Sequence, residues 1–330
     1  MTTAELTKIF ASFNKVNVLI IGDLMLDSYF WGDVSRISPE APVPIVSVSK
    51  KDNRLGGAGN VAKNIQAMGG TPYLCGIIGK DDNGDRMLAI MKENKLPANG
   101  IVRVEDRPTT TKTRIISSNQ HIVRIDEEID KPISEIATDK LFTQVEKLVV
   151  GGKIGVIIFE DYDKGVISAQ LIDQITSLAK KHKVPTVVDP KKRNFLAYRH
   201  VTVFKPNLKE LKEGLNLDLS AKDMEAMRRA VEVMRKKQEI DIALITLSEY
   251  GVYVNSDIEK KLIPAHIRNI SDVSGAGDTV VSVAALCCAV GVSPENMAFL
   301  SNLAGGQVCE KSGVVPVNKE QLLEEAKQYL

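Results

Sequence analysis

The sequence predicts an α/β fold: a central, mostly parallel sheet flanked by helices, carrying a small β-sheet lid. Two observations predict it. From Glu135 onward, helical stretches alternate regularly with short apolar runs of strand length, as parallel strands buried on both faces do. Before that point, two stretches at approximately 32–50 and 100–126 alternate polar and apolar residues, the first among prolines. That is the pattern of sheets with one wet face. There is no internal repeat or low-complexity linker, so residues 1–330 parse as a single domain with the two insertions as its lid.

The elements follow in order. Leu6, Ile9, Phe10 and Phe13 give the N-terminus a short amphipathic helix, not a secretory apolar core. Val16 to Ile21 reads as a buried strand that opens at Gly22-Asp23 into a loop, with Asp27 just beyond. Ligands of open α/β sheets bind there, beyond the carboxyl ends of strands. Pro39, Pro42 and Pro44 favour an edge strand or hairpin for the first insertion. Helices are expected near 59–68 and 85–94, with a strand at Leu74 to Ile78 between them. Helices 135–149 and 167–182 lead to strands at Ile154–Phe159 and Thr186–Val188; Val201–Phe204 and Ile242–Leu247 complete the set. Met224, Met227, Val231 and Met234 place a stripe on one helix face, which reads as core. A hairpin around 251–261 precedes helices 279–290 and 294–309.

Composition excludes several classes. The formal net charge is +1, from 43 basic and 42 acidic residues, so nothing in it calls for nucleic acid or an acidic membrane surface. The longest apolar run, Val280 to Val290, is too short to span a bilayer. Cys75, Cys287, Cys288 and Cys309 lack zinc-site spacing. A reducing, cytoplasmic compartment is expected.

The chemistry concentrates in a few segments. Asp272-Val-Ser-Gly-Ala-Gly-Asp278-Thr279 sets small residues before a helix-like run. The Gly275, Ala276 and Gly277 amides can approach an anion there, at the positive end of a helix. Asp278 in their midst suits a base that takes a proton from an attacking hydroxyl. Gly56-Gly57 with Asn60 joins the first β insertion to a helix, where close backbone approach and a bifunctional amide suit sugar hydroxyls. Successive strand ends carry Glu160 to Gly165, Asp189 to Lys192, Lys205 to Glu210 and Ser248 to Gly251, which together imply one polar cleft. Lys164, Lys191 and Lys192 are phosphate candidates, and Asn207 with Glu210 is placed to hold a hydrated Mg2+ or the triphosphate. No phosphate-loop lysine or dinucleotide signature is present, and the four histidines form no motif.

These segments resemble the ribokinase-like (PfkB-type) carbohydrate kinases over nearly the whole chain. Gly56-Gly57 with Asn60 is similar to that family's first signature, and Asp272 through Asp278 to its second. The resemblance implies a ribokinase-like fold with a β lid over the sugar, ATP and Mg2+ as cofactors, and Asp278 as catalytic base. On the nucleotide and magnesium side it implies Lys205, Asn207, Leu208, Lys209 and Glu210, with Glu210 on the metal, and Ser248, Glu249 and Gly251. Gly22 to Asp27, Trp31-Gly-Asp33, the run from Ser35 to Pro44, Asp161-Tyr162 and Lys164-Gly165 resemble the family branch acting on D-glycero-β-D-manno-heptose 7-phosphate. Glu160 stands where that branch usually has a serine. In its better-known bifunctional version a nucleotidyltransferase domain follows, so the kinase part alone is expected here.

The implied reaction moves the ATP γ-phosphoryl to the anomeric hydroxyl of heptose 7-phosphate. Asp27 and Asn60 would orient the sugar, and Arg36, Lys112, Arg114 and Lys164 are the candidates for its distal phosphate. Another sugar kinase of the fold, of fructose 1-phosphate, tagatose or ribose type, is the alternative, followed by a non-catalytic sugar-phosphate binder. A homodimer through the lid is expected, with Val43, Ile45, Val102 and Ile115 as apolar candidates.

Overall fold

The apolar run after Asn17 sends its side chains alternately into two separate hydrophobic clusters: Val18 and Ile20 into one, Leu19 and Ile21 into the other. A strand without a polar face belongs in the middle of a sheet covered on both sides. The computed structural model, which describes residues 1–118 and 120–330, has that arrangement.

In chain order, α1 (Thr3–Ser12) leads to β1 (Asn17–Gly22), β2 (Leu24–Ile37) and β3 (Pro44–Gly57). Then come α2 (Ala58–Ala67), β4 (Thr71–Gly79), α3 (Asp82–Glu93), β5 (Gly100–Val104), β6 (Thr111–Ser117) and β7 (Gln120–Glu127). Next are α4 (Glu135–Val150), β8 (Val156–Glu160), α5 (Ala169–His182), β9 (Thr186–Asp189) and β10 (Val203–Phe204). The chain continues through α6 (Leu208–Leu215), α7 (Met224–Gln238), β11 (Ile242–Thr246), β12 (Val252–Asn255) and β13 (Lys260–Ile263). It ends with α8 (Ala276–Ala289), α9 (Pro294–Cys309) and α10 (Lys319–Lys327).

The main sheet has nine strands in the order β13-β12-β11-β10-β9-β8-β1-β4-β5. All pairings from β11 to β5 are parallel, and β12 and β13 add an antiparallel hairpin at one edge. One cluster packs α1, α2, α3, α8, α9 and α10 against the sheet; the other packs α4, α5, α6 and α7. Met227, Val231 and Met234 are buried in the second cluster, so the methionine stripe is core. Helix α8 is buried from Asp278 to Cys287, as a helix apolar on all sides must be. Among the described residues, no helix is long and apolar enough to cross a membrane.

The second sheet has four strands, β3-β2-β6-β7. Its bounds differ from the expected insertions in two places. β2 begins at Leu24, two residues after β1 ends, so Asp27 lies in a strand of the small sheet rather than in a loop. β5 belongs to the main sheet, parallel to β4 with Cys75 opposite Gly100 and Ile77 opposite Val102. Val102 is therefore buried against the core and cannot serve a lid face. An edge strand of a covered sheet alternates like a half-exposed one because one flank meets solvent: Arg103 points to an ion pair with Asp85, 2.8 Å away. The strand expected at Val201 also starts later, at Val203.

Candidate active site

Parallel strands bring their carboxyl ends to one edge, and here those ends carry charge. Gly22 of β1 pairs with Glu160 of β8, which pairs with Asp189 of β9. Lys205 directly follows β10, and its ammonium reaches Asp189 Oδ2 at 2.9 Å with both side chains almost fully buried. Burial opposes the lysine charge, but Asp189 and Glu210 outweigh it and raise the Lys205 pKa.

Above this edge lies the start of α8. Gly275 caps it at φ +80°, where glycine bears no steric penalty, and a Cβ there would stand 2.9 Å from Asn60 Nδ2. The Ala276 amide donates to the Val273 carbonyl and that of Thr279 to Gly275. Among the described residues, the Gly277 and Asp278 amides have no main-chain acceptor, and no side chain caps the helix. Two donors thus remain at the positive end of a 14-residue helix, ready to meet an anion. Of the expected donors Gly275, Ala276 and Gly277, only Ala276 is turned away, to Val273; the Gly275 amide has no acceptor among the described residues, and the Asp278 amide joins the set.

The Asp278 carboxylate is held by two side chains distant in sequence. Asn60 Nδ2 donates to its Oδ2 at 2.6 Å and the Tyr162 hydroxyl to its Oδ1 at 2.7 Å. One turn along α2, Asn64 Oδ1 accepts from the Thr279 hydroxyl at 3.1 Å, so α2 grips the first turn of α8 at two levels. Burial lifts the Asp278 pKa to about 6 against the pull of both hydrogen bonds, with the Asp189 charge adding to the rise and Lys205 opposing it. Close by, Glu160 is wholly buried with both carboxylate oxygens unpartnered. Burial, then the charges of Asp189 and Asp278, push its pKa well up, which disfavours its ionised form.

A cavity of about 770 Å³ opens beside Asp278. Gly275, Ala276, Gly277, Lys205, Asn207, Glu210, Ser248, Glu249 and Gly251 all line it, as the sequence reading grouped them. Leu208 and Lys209 do not: Leu208 packs on the core and Lys209 points to solvent near Glu213, because α6 turns them away from the cavity. Asn207 and Glu210 form a reciprocal cap of α6, Asn207 Oδ1 accepting the Glu210 amide at 2.9 Å and Glu210 Oε2 the Asn207 amide at 2.8 Å. The other Glu210 oxygen pairs with Lys191. Both Glu210 oxygens thus already accept one hydrogen bond, and each keeps a lone pair for a metal or its water shell. Asp189 Oδ1 lacks a partner. Among the described residues, no cluster of three or more His, Cys, Asp or Glu side chains could hold an ion unaided.

The small sheet forms a separate wall, whose residues do not line that cavity. Asp27 pairs with Arg114 across the β2–β6 ladder at 2.5 Å, and a Cβ on Gly56 would strike Asp27 Oδ2 at 2.1 Å. Gly56 thus makes room for the carboxylate, while Gly57 caps α2. Lys112 and Lys164 converge on Glu128 at 2.9 and 2.7 Å, and Lys112 also meets Asp126. Arg36 is not brought to this wall: it is exposed near the tip of the β2–β3 hairpin, ~30 Å of strand from Asp27. Of the four proposed cations, one is remote and three are already paired. Sequence reasoning missed Arg54, which stacks over Tyr29 and donates to the Val314 carbonyl at 3.3 Å, bridging the small sheet to the loop above Gly275. It also left Tyr162 and Asp189 without roles; their position at strand ends was the available signal.

Comparison with known proteins agrees with this geometry. A sequence profile for pfkB family carbohydrate kinases matches residues 15–321. The bifunctional protein HldE of Sulfurimonas denitrificans is 37% identical over 317 residues, covering 96% of this chain and 65% of that protein. The bifunctional protein HldE of Geobacter sulfurreducens is 37% identical over 325 residues, covering 98% and 65%. The chain thus spans about two thirds of the length of these relatives. Among solved structures, phosphofructokinase-2 from Escherichia coli in complex with potassium superposes with a TM-score of 0.77 at 19% identity, covering 96% and 98% of the chains. Arabidopsis thaliana ribokinase complexed with ribose and ATP gives 0.70 at 17% identity, covering 94% and 99%. The fold is therefore the ribokinase-like one, a mixed sheet between helices with a smaller separate sheet.

Proposed function

The chain belongs to the pfkB family of carbohydrate kinases, and from that premise we propose that it phosphorylates the anomeric hydroxyl of D-glycero-β-D-manno-heptose 7-phosphate with ATP. The observation that carries the chemistry is the Asp278 carboxylate, fixed by Asn60 and Tyr162 beside two unpaired amides of a helix N-terminus. The acceptor hydroxyl gives its proton to Asp278 as its oxygen attacks the γ-phosphorus, and ADP leaves with the electrons of the broken P–O bond. The Gly277 and Asp278 amides meet the charge that develops on the transferring group. Lys205 stands beside them: a Cβ on Gly277 would lie 3.8 Å from its Nζ.

The cavity between α8 and the strand ends takes the nucleotide, and Asp27 and Asn60 face the sugar under the small sheet acting as a lid. A Mg2+ ion keeping most of its waters fits the donor set, with the unpartnered Asp189 oxygen and Asn207 beside Glu210 holding it through its hydration shell. Bound there, it would neutralise phosphate charge. The heptose 7-phosphate assignment is supported by the run from Ser35 to Pro44 and by the matches to HldE proteins. Such a reaction would serve ADP-heptose and lipopolysaccharide core precursor synthesis.

Mass measurement of the product formed from ATP and heptose 7-phosphate tests the reading, with a bisphosphate expected. A second reading, another sugar or sugar-phosphate acceptor, draws support from the pairing of Lys112, Arg114 and Lys164 with carboxylates, which leaves few cations for a distal phosphate. ADP release across fructose 1-phosphate, tagatose 6-phosphate and ribose separates the two.

The small sheet also supports a homodimer. Val34, Ile37, Val48, Val123 and Ile125 are exposed on it, with Val43 exposed in the turn before β3, and such exposed apolar residues are commonly covered by another subunit.

A further inference from the structure

We propose that Tyr162 is a positioning residue for proton transfer, its hydroxyl fixing the Asp278 carboxylate in the orientation and ionised form that the acceptor hydroxyl requires. The inference rests on Asp278 being the base. Three features of the molecule carry it.

The loop that presents Tyr162 is built around a buried anchor. Asp23, at the end of β1, accepts backbone N–H groups from Tyr162, Lys164 and Val166 at 2.7, 3.2 and 3.2 Å. A second carboxylate, Asp161, accepts from the Asp163 amide at 2.9 Å, from Asn194 at 2.9 Å and from the Tyr198 hydroxyl at 3.1 Å. Two buried carboxylates spent on a short loop fix its backbone, and so fix where Tyr162 emerges. The ring is then pinned from the other side by Lys191, whose Nζ lies 5.2 Å from its centroid while it pairs with Glu210.

The hydroxyl does not block the base. A carboxylate offers about four lone-pair sites, two on each oxygen. Asn60 takes one on Oδ2 and Tyr162 one on Oδ1, which leaves a site on each oxygen for the acceptor. What the two donors remove is rotation about the carboxylate axis, and the geometry of a proton acceptor has to be set before attack.

The surroundings make that hydrogen bond consequential. Facing Asp278 and Tyr162 are Glu160 from β8, Asp189 from β9, Lys205 after β10, Lys191 with Glu210 behind it, and Asn60 from α2. Burial, with the Asp189 charge beside it, disfavours one more negative charge on Asp278. A donor aimed at the Asp278 carboxylate is then one of the few groups favouring its ionised form.

The test is the pH dependence of kcat/KM for heptose 7-phosphate in wild type, Tyr162→Phe and Asp278→Asn. Phenylalanine keeps the ring under Lys191 and deletes only the hydroxyl. The acid limb of Tyr162→Phe is expected to move up by about 1–2 pH units, since a hydrogen bond to a charged acceptor is worth that much. At pH 6, kcat/KM should fall about five- to fiftyfold relative to wild type and recover toward pH 9. A purely structural role would depress activity at every pH without moving the limb, and an unmoved limb overturns the proposal. Asp23→Asn, which loosens the loop while leaving the phenol, should move the limb in the same direction by less. If Asp278→Asn retains wild-type turnover, the base assignment itself falls. If it is inactive while Tyr162→Phe titrates as wild type, only the role of Tyr162 is lost.

Discussion

Arg114 and Asp27 form an ion pair at 2.5 Å across the parallel ladder between β2 and β6, and Asp27 is almost completely buried. In the proposed reading, the arginine therefore acts on the sugar through Asp27. Arg114→Ala would leave a buried carboxylate without its partner, which costs more than the pair is worth. We expect it to raise KM for phosphorylated and unphosphorylated acceptors by similar factors, about tenfold or more. Steady-state kinetics on matched acceptors check this, and a loss confined to the phosphorylated one would return Arg114 to the distal phosphate.

Replacing Asp278 by asparagine removes the proposed base while retaining its shape. Turnover should drop at least ~100-fold, the usual scale for a general base, with ATP affinity little changed. In the wild type, activity should fall as pH drops through about 6, where Asp278 takes up a proton. Stopped-time ADP assays between pH 5 and 8 read both effects.

The same substitution should alter stability in a pH-dependent way. Asp278 has its pKa raised from 3.8 to about 6 by burial, so the folded state holds this proton more tightly than the unfolded chain. The stability it contributes is present below the unfolded value and is lost as pH rises through about 6. Asp278→Asn should then be more stable than wild type at pH 8, by roughly 1–3 kcal/mol, and not at pH 4. Urea unfolding at the two pH values is the measurement.

Lys205→Met deletes the ammonium that faces Asp189 and the cavity. ATP should bind at least about tenfold more weakly, since a charge-assisted contact to phosphate is lost and Asp189 is left buried and unpaired. Calorimetric titration with a non-hydrolysable ATP analogue checks it, and unchanged affinity would place the triphosphate elsewhere.

The proposed lid dimer is open to direct disruption. Ile37 is 61% and Val123 46% exposed on the small sheet, and aspartate at both positions should convert a dimer to a monomer in sedimentation without unfolding it. A wild-type monomer at micromolar concentration would remove the dimer proposal.

The β-α alternation after Glu135 was legible because each strand is a closed apolar run and each helix repeats its apolar face. The segment from Asp272 to Asp278 was legible because its parts are contiguous: cap, amides and carboxylate fall within one turn. The edge position of β5 was not, since half-exposed alternation arises equally on a lid and at the border of a covered sheet. Nor was the neutralisation of Lys112 and Lys164, because Glu128 meets them only after β6, β7 and the loop at 164 are brought together.

Sequence by itself determined the α/β architecture, the presence of a second small sheet and the proposal of Asp278 as the centre of the chemistry, because local patterns encode local geometry. Tertiary structure alone decided which groups surround that carboxylate. Asn60 lies 218 residues from Asp278 and Tyr162 lies 116 away, and no spacing in the chain signals a hydrogen bond over such distances. It also decided which cations are spent on internal partners, since an ion pair depends on where side chains end and not on which residues are charged.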